Sequence, residues 1–271
     1  MLSKNKLKYL RSLSLKKNRD AEGCFLAEGP KVVGDLSVRF ACKLLAATES
    51  YLHAHPRMKA EETVVIDEKE LRAASLLQAP RDVIAVFRKN APGMDASAAG
   101  EAEPPALPAR TLCLALDRIQ DPGNLGTIIR LADWFGIEHL VCSRDCADAY
   151  APKTVQATMG SLARVAVSYT DLPRFLRSLP QETPVYGTFL DGDDIYAAPL
   201  SDCGVLVMGN EGNGISADVR RLVNRRLLIP NYPPGRATGE SLNVAVATAV
   251  ACAEFRRRQR PVPTSSPIRH A

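Results

Sequence analysis

Residues 114–136 read "LALDRIQDPGNLGTIIRLADWFG". They run from a short apolar segment through a turn-rich loop into an amphipathic helix. Leu125, Ile128, Ile129, Ala132 and Phe135 fall on one helical face, which predicts packing on a sheet. Asn124 is placed to cap the helix through its side-chain oxygen. Arg130 lies off the apolar face, with Gly126 four residues earlier on the same line, so that no side chain crowds its guanidinium. A mid-helix glycine costs about 1 kcal/mol relative to alanine, which points to a local reason for it. Two readings of Arg130 stand: a functional arginine, or an arginine paired with a carboxylate such as Asp133.

Outward from this unit the chain keeps alternating. The segments "TLCLALD", "HLVCS", "RVAVSY", "VYGTF" and "GVLVMG" are near-continuous apolar runs, with helical segments near 124–135, 171–179, 216–223 and 241–258 between them. Short apolar strands separated by helices predict an α/β fold: a mostly parallel sheet with helices on both faces, over residues 110–260. In such sheets ligands sit beyond the carboxyl ends of the strands. Residues 91–109, "APGMDASAAGEAEPPALPA", are Ala/Pro/Gly-rich and aperiodic, a linker. Before it, residues 1–90 alternate "KLKYLRSLSLKK" and "PKVVGDLSVRF" as helices with "CFLAEG", "KLLAAT", "VVID" and "DVIAVF" as strands, which predicts a small α/β domain.

Two further loops carry candidate chemistry. In "VLVMGNEGNGIS" (205–216) a buried strand enters a turn of Gly209, Asn210, Glu211, Gly212, Asn213 and Gly214. Glycines let backbone amides approach a ligand. The Walker Lys-Ser/Thr pair is missing and Glu211 would repel phosphate, while GxGxxG is not matched, so nucleotide-phosphate and Rossmann readings fail. A ligand with a neutral or cationic centre remains, as does a plain strand-to-helix turn. In "LLIPNYPPGRATGESLNVAVATAVACAEF" (227–255), Ser241 is placed to cap a long helix rich in small residues, with Asn243 in its first turn.

Composition narrows the class. At 271 residues and 46% hydrophobic, the chain can bury one or two cores, and no apolar run reaches membrane-spanning length. Seven scattered cysteines without a CxxC pair, and four histidines with only "HAH" clustered, predict a reduced, cytoplasmic protein without metal. The net charge is +5, but residues 1–19 hold seven basic and no acidic residues, and the C-terminus repeats this in "FRRRQRP". Basic ends of this kind suit a polyanionic partner, foremost nucleic acid.

The three segments, in this order, resemble the SpoU (TrmH-type) branch of the SPOUT RNA methyltransferases. Its three motifs are matched by "DRIQDPGNLGTIIRLADWFG", by "VLVMGNEGNGIS", and by "LLIP" with "ESLNVAVATAVACAEF"; "KTVQATMGSLARVAV" is similar to the segment between the first two. Residues 1–90 resemble an L30-like RNA-binding domain through "FLAEGPKVV" and "QAPRDVIAVF", although Asp82 stands where relatives often have glycine. The likeness leaves out the linker and the basic tail, 261–271.

The resemblance implies a trefoil-knotted α/β domain working as a homodimer, with motif residues of both subunits in one site. S-adenosylmethionine would bind through the backbone of Thr188, Gly209, Ile229 and Leu242, with Met208, Asn210 and Gly212 beside it. Asn124, Arg130, Glu211, Ser241 and Asn243 would be the catalytic residues. The reaction implied is 2'-O-methylation of a ribose in ribosomal RNA, with 23S favoured, or in transfer RNA. The chemistry agrees, since a sulfonium is cationic and tolerates Glu211 where a phosphate would not. A guanidinium gives up its proton only with difficulty, so Arg130 is read as holding the target phosphate and stabilising developing charge, with base action the minority reading. The rival reading is a non-catalytic RNA-binding or ribosome-assembly protein that keeps the fold. The long "PNYPPGRATGE" loop puts Arg236 within possible reach of RNA.

Overall fold

The computed structural model describes residues 2–89, 111–233, 236, 239 and 241–259. The linker, the basic tail and part of the Pro/Gly loop before Ser241 lie outside them. The first unit runs α1 (Lys4–Ser12), α2 (Lys16–Glu22), β1 (Cys24–Glu28), α3 (Pro30–Ser37), β2 (Cys42–Ala47), α4 (Glu49–Ala54), β3 (Glu62–Val65), α5 (Glu68–Ala74) and β4 (Val83–Arg88). Its sheet order is β1-β4-β2-β3, with β4 antiparallel to both neighbours and β3 parallel to β2. The basic N-terminal stretch is two helices rather than one, because Leu13 closes α1 and Leu15 opens α2.

The second unit runs β5 (Leu112–Leu116), α6 (Pro122–Trp134), β6 (His139–Ser143), α7 (Pro152–Thr158), β7 (Ala166–Thr170), α8 (Leu172–Arg177), β8 (Val185–Asp194), β9 (Gly204–Met208), α9 (Ala217–Arg220), β10 (Arg225–Leu228) and α10 (Val244–Gln259). Its six strands, in the order β10-β8-β9-β5-β6-β7, are all parallel. Helices cover both faces, and β5 shows why its run is continuously apolar. Leu112, Leu114 and Leu116 enter one core with Ile128 and Ile129 of α6 and Phe255 of α10. Cys113 and Ala115 enter another with Leu172, Phe175 and Val219 from α8 and α9. Each fully buried leucine or isoleucine contributes about 1.5–3 kcal/mol before ordering costs are counted.

Three local readings change. Asp121, not Asn124, caps α6: its Oδ1 accepts the Asn124 amide at 2.8 Å, with Pro122 in the first turn. Asn243, not Ser241, caps α10, accepting from the amides of Ala245 (2.9 Å) and Val246 (3.3 Å). Gly126 does not clear space for Arg130. A Cβ there would lie 2.5 Å from Ala157 Cβ and 2.6 Å from the Thr154 carbonyl, so the glycine exists because α7 lies directly on α6. At Asp82, φ is +57°, the left-handed backbone for which glycine is the usual choice.

Much of the basic sequence is structural. Arg256 donates to the carbonyls of Phe135 (2.7 Å) and Gly136 (3.0 Å), closing the end of α6. Arg258 donates to Ala198 O at 2.6 Å and, with Arg257, pairs with the buried Glu254. Lys4, Lys8 and Lys17 remain exposed on α1 and α2. Among the described residues no helix is long and apolar enough to cross a membrane, and no group of His, Cys, Asp or Glu could hold a metal.

Two stability outcomes follow. Gly126→Ala, despite its better helix propensity, should destabilise the protein by about 1–3 kcal/mol through overpacking, read as a lower urea midpoint. Hydrogen bonds from Arg257, then Arg258, hold the Glu254 carboxyl at about 2, below its ordinary 4.5. That stabilisation is present above the ordinary value and is lost as pH falls toward 2. Glu254→Gln should therefore lower Tm at neutral pH, with the gap to wild type closing between about pH 4.5 and 2 in a thermal-melt series.

Candidate active site

Strands β8, β9 and β5 are neighbours, so the loops after them converge at one edge of the sheet. After β9 the chain doubles back on itself. The main chains of Asn210 and Gly214 pair in both directions (3.0 and 2.9 Å), while Asn210 Oδ1 accepts the amides of Gly212 and Asn213, each at 3.0 Å. Gly209 is dictated by this reversal: a Cβ would lie 2.4 Å from Gly214 C. Its role is thus to let the chain meet itself.

The loop after β5 clamps the turn from the side. Asp117, 3% exposed at the strand's end, accepts the Ser216 amide at 2.6 Å, and the Arg118 carbonyl accepts from Asn210 Nδ2 at 2.9 Å. Arg118 holds φ at +59°, a strained conformation for a residue with a side chain. Asn124 donates through Nδ2 to Glu211 Oε1 at 2.6 Å, and its Oδ1 accepts from Asn243 Nδ2 at 3.1 Å. Asn124 thus holds the carboxylate on the glycine turn and is itself held by Asn243 from a distant segment. Lys153, then the Asn124 amide, hold the Asp121 carboxyl below its usual range, keeping the cap of α6 charged.

The glycine turn, the middle of β8, the end of β10 and the start of α10 wall a cavity of about 650 Å³, within the size range of small-molecule sites. All seven residues expected at a cofactor line it: Thr188, Met208, Gly209, Asn210, Gly212, Ile229 and Leu242. Glu211 and Ser241 line it as well, while Asn124 and Asn243 stand one hydrogen bond behind. Arg130 is outside. It is exposed on α6 and, among the described residues, has no hydrogen-bond or ion-pair partner; the carboxylate of Asp133 is taken by Arg164 at 2.8 Å. The remainder of the wall is mostly apolar, with Asp191 and Arg220 at the end formed by β8 and α9.

Asp117 and the strained main chain of Arg118 were missed from sequence. An acid ending an otherwise apolar strand was the available signal for Asp117; for Arg118 there was none. The cavity suits S-adenosylmethionine. Apolar side chains and main-chain groups can enclose an adenosine, and a carboxylate held by asparagines can face a sulfonium.

Comparison with known proteins agrees with this geometry. The sequence model of the SpoU rRNA Methylase family matches residues 111–253, and that of the MRM3-like substrate binding domain matches residues 4–85. The 23S rRNA (guanosine(2553)-2'-O)-methyltransferase RlmP of Bacillus subtilis is 32% identical over 258 residues, covering 90% of this chain and 93% of that protein. A structure from Porphyromonas gingivalis assigned to the TrmH family of RNA methyltransferases superposes with a TM-score of 0.81 at 41% identity, covering 95% of this chain and 99% of that one. The AdoMet-bound rRNA methyltransferase of Sinorhizobium meliloti gives 0.78 at 29% identity over 96% and 97%. Matched by that family over more than half its length, and aligned end to end with such an enzyme, the chain belongs to the SpoU rRNA methylase family of S-adenosylmethionine-dependent RNA 2'-O-methyltransferases.

Proposed function

We propose that the substrate is large-subunit ribosomal RNA and that one ribose 2'-hydroxyl of it is methylated at a site shared by two subunits. The observation that carries the reading is the Asn243–Asn124–Glu211 hydrogen-bond relay on the rim of the glycine-turn cavity. The substrate-binding match over residues 4–85 and the 23S rRNA specificity in RlmP's name favour ribosomal over transfer RNA.

S-adenosylmethionine supplies a methyl group already activated on a cationic sulfur. What remains for the chain is placement and charge. The main chain at Thr188, Gly209, Ile229 and Leu242 would hold the cofactor, with Met208, Asn210 and Gly212 completing the wall. Glu211, kept in one orientation by Asn124, would balance the positive charge. Ser241, exposed at the cavity's edge, is placed to bond a ribose hydroxyl, and Asn243 steadies Asn124. In-line alignment of hydroxyl oxygen and methyl carbon is where most of the acceleration would arise.

Attack also needs the hydroxyl's proton to leave and the developing oxyanion to be stabilised. Arg130 is assigned that stabilisation, and from a second copy of the chain. Arg130 and Trp134, the latter 84% exposed, stand one turn apart on α6, and Val246 of α10 is 51% exposed. Large apolar side chains exposed next to a catalytic-site motif mark an assembly face. A twofold dimer through that face would bring each Arg130 to its partner's cavity. The family's knot would involve Ile229, Ser241 and Leu242, which line the cavity together with the glycine turn.

Arg130→Ala should reduce labelled-methyl transfer to unmodified ribosomal RNA by about 10²–10³-fold while leaving cofactor affinity within about twofold. Wild-type turnover in that variant refutes the assignment, and absence of transfer by the wild-type protein refutes the function. Mixing unfolded Arg130→Ala and Glu211→Ala chains and refolding them together tests the shared site. Action across the dimer predicts recovery of roughly a quarter of wild-type activity, since half of the dimers would hold one intact site. Action within one chain predicts none.

A further inference from the structure

The two units meet along a seam that holds a buried ion pair. Arg19 of α2, only 2% exposed, reaches Asp148 Oδ2 through Nη2 (2.6 Å) and Nε (3.2 Å). Its Nη1 donates to the carbonyls of Leu13 (2.8 Å) and Ser14 (2.7 Å). The other oxygen of Asp148 accepts the Tyr150 amide at 2.9 Å. The Tyr150 ring lies 4.7 Å from that of Phe25 on β1, with the Lys89 ammonium 5.2 Å from its centroid. Farther along, Arg39 donates to Ala163 O at 3.2 Å. Asp35 of α3 presses on Gly160, where a Cβ would lie 2.4 Å from its carboxylate.

The same stretch of chain, residues 148–163, faces the catalytic side with its other surface. Its α7 lies on α6 at Gly126, and Lys153 pairs with Asp121, the cap of α6, at 2.9 Å. One layer of packing thus links the first unit to the helix that carries Asn124 and Arg130. An apolar seam alone tolerates sliding, whereas a buried charge left without its partner is strongly unfavourable, so the pair singles out one docking geometry.

We infer that this seam selects the target nucleotide: Arg19, Asp148 and Tyr150 are positioning residues that hold the RNA-binding first unit at a fixed distance and angle from the methyl-transfer cavity. This rests on the activity proposed above. An RNA gripped by the exposed Lys4, Lys8 and Lys17 is then presented to the cavity at one ribose, and selection becomes a measurement by a rigid template.

The test uses the full-length protein and unmodified ribosomal RNA, with methylated riboses mapped at nucleotide resolution and cofactor affinity measured by calorimetry. Asp148→Asn keeps an acceptor for the Tyr150 amide and removes the charge. It should leave the cofactor Kd within about twofold, lower kcat/KM for RNA by about tenfold, and spread methylation to riboses near the wild-type position. An unchanged single position in a variant that still binds cofactor overturns the inference, whatever its rate. If Asp148→Asn loses cofactor binding through misfolding, Tyr150→Ala is judged by the same criterion. Wild-type protein that methylates no ribosomal RNA instead overturns the activity reading, so the two failures are distinguishable.

Discussion

Three hydrogen bonds from the end of β5 and the start of α6 to the turn after β9 hold this site together: Ser216 to Asp117, Asn210 to the Arg118 carbonyl, and Asn124 to Glu211. The turn is a reversal of glycines and asparagines with little apolar surface of its own, and such a segment would otherwise sample many conformations. Clamped from the neighbouring strand, it becomes a wall of defined shape. Asp117 is buried with the strand's end, so its bond to Ser216 is made away from competing water and losing it would leave a buried carboxylate underbonded. The strained backbone of Arg118 belongs to the same clamp, since its carbonyl accepts the Asn210 side-chain amide.

Asn124 joins this clamp to the rest of the protein. It stands in the first turn of α6, where its amide fixes the helix start on Asp121 while its side chain bridges Glu211 and Asn243. Moving α6 therefore moves the carboxylate. Because α6 is seated on α7 without even a methyl group between them at Gly126, the catalytic rim inherits the rigidity of the packed core.

The sheet was legible because burial on both faces forces continuous apolar strands; β5 and β9 could be read residue by residue. The glycine turn was legible because glycine, acid and amide residues follow the apolar run of β9, whereas Thr188, Ile229 and Leu242 came from the family resemblance alone. Helix starts were harder. Asp121 and Asn124 are both good caps, and Pro122 in the first turn is what favours Asp121. Ser241 lost to Asn243 for a similar reason: several polar residues precede α10 and only the backbone tells which one caps it. The neighbour that dictates Gly126 was not legible, since the contact between α6 and α7 has no signature in either segment. Charge was the least transparent property. "FRRRQ" reads as an RNA-binding tail, yet Arg256 and Arg258 are used up on carbonyls and on Glu254.

Trp134 is the single tryptophan of the chain, and it stands one turn beyond Arg130 on α6 with 84% of its surface exposed. Its indole emission therefore arises from one known place. Any event that withdraws this helix face from water, whether self-association or the docking of a bulky polymer, would change the colour and polarisation of that emission. The molecule carries a built-in optical reporter beside the Arg130 guanidinium, readable without any label.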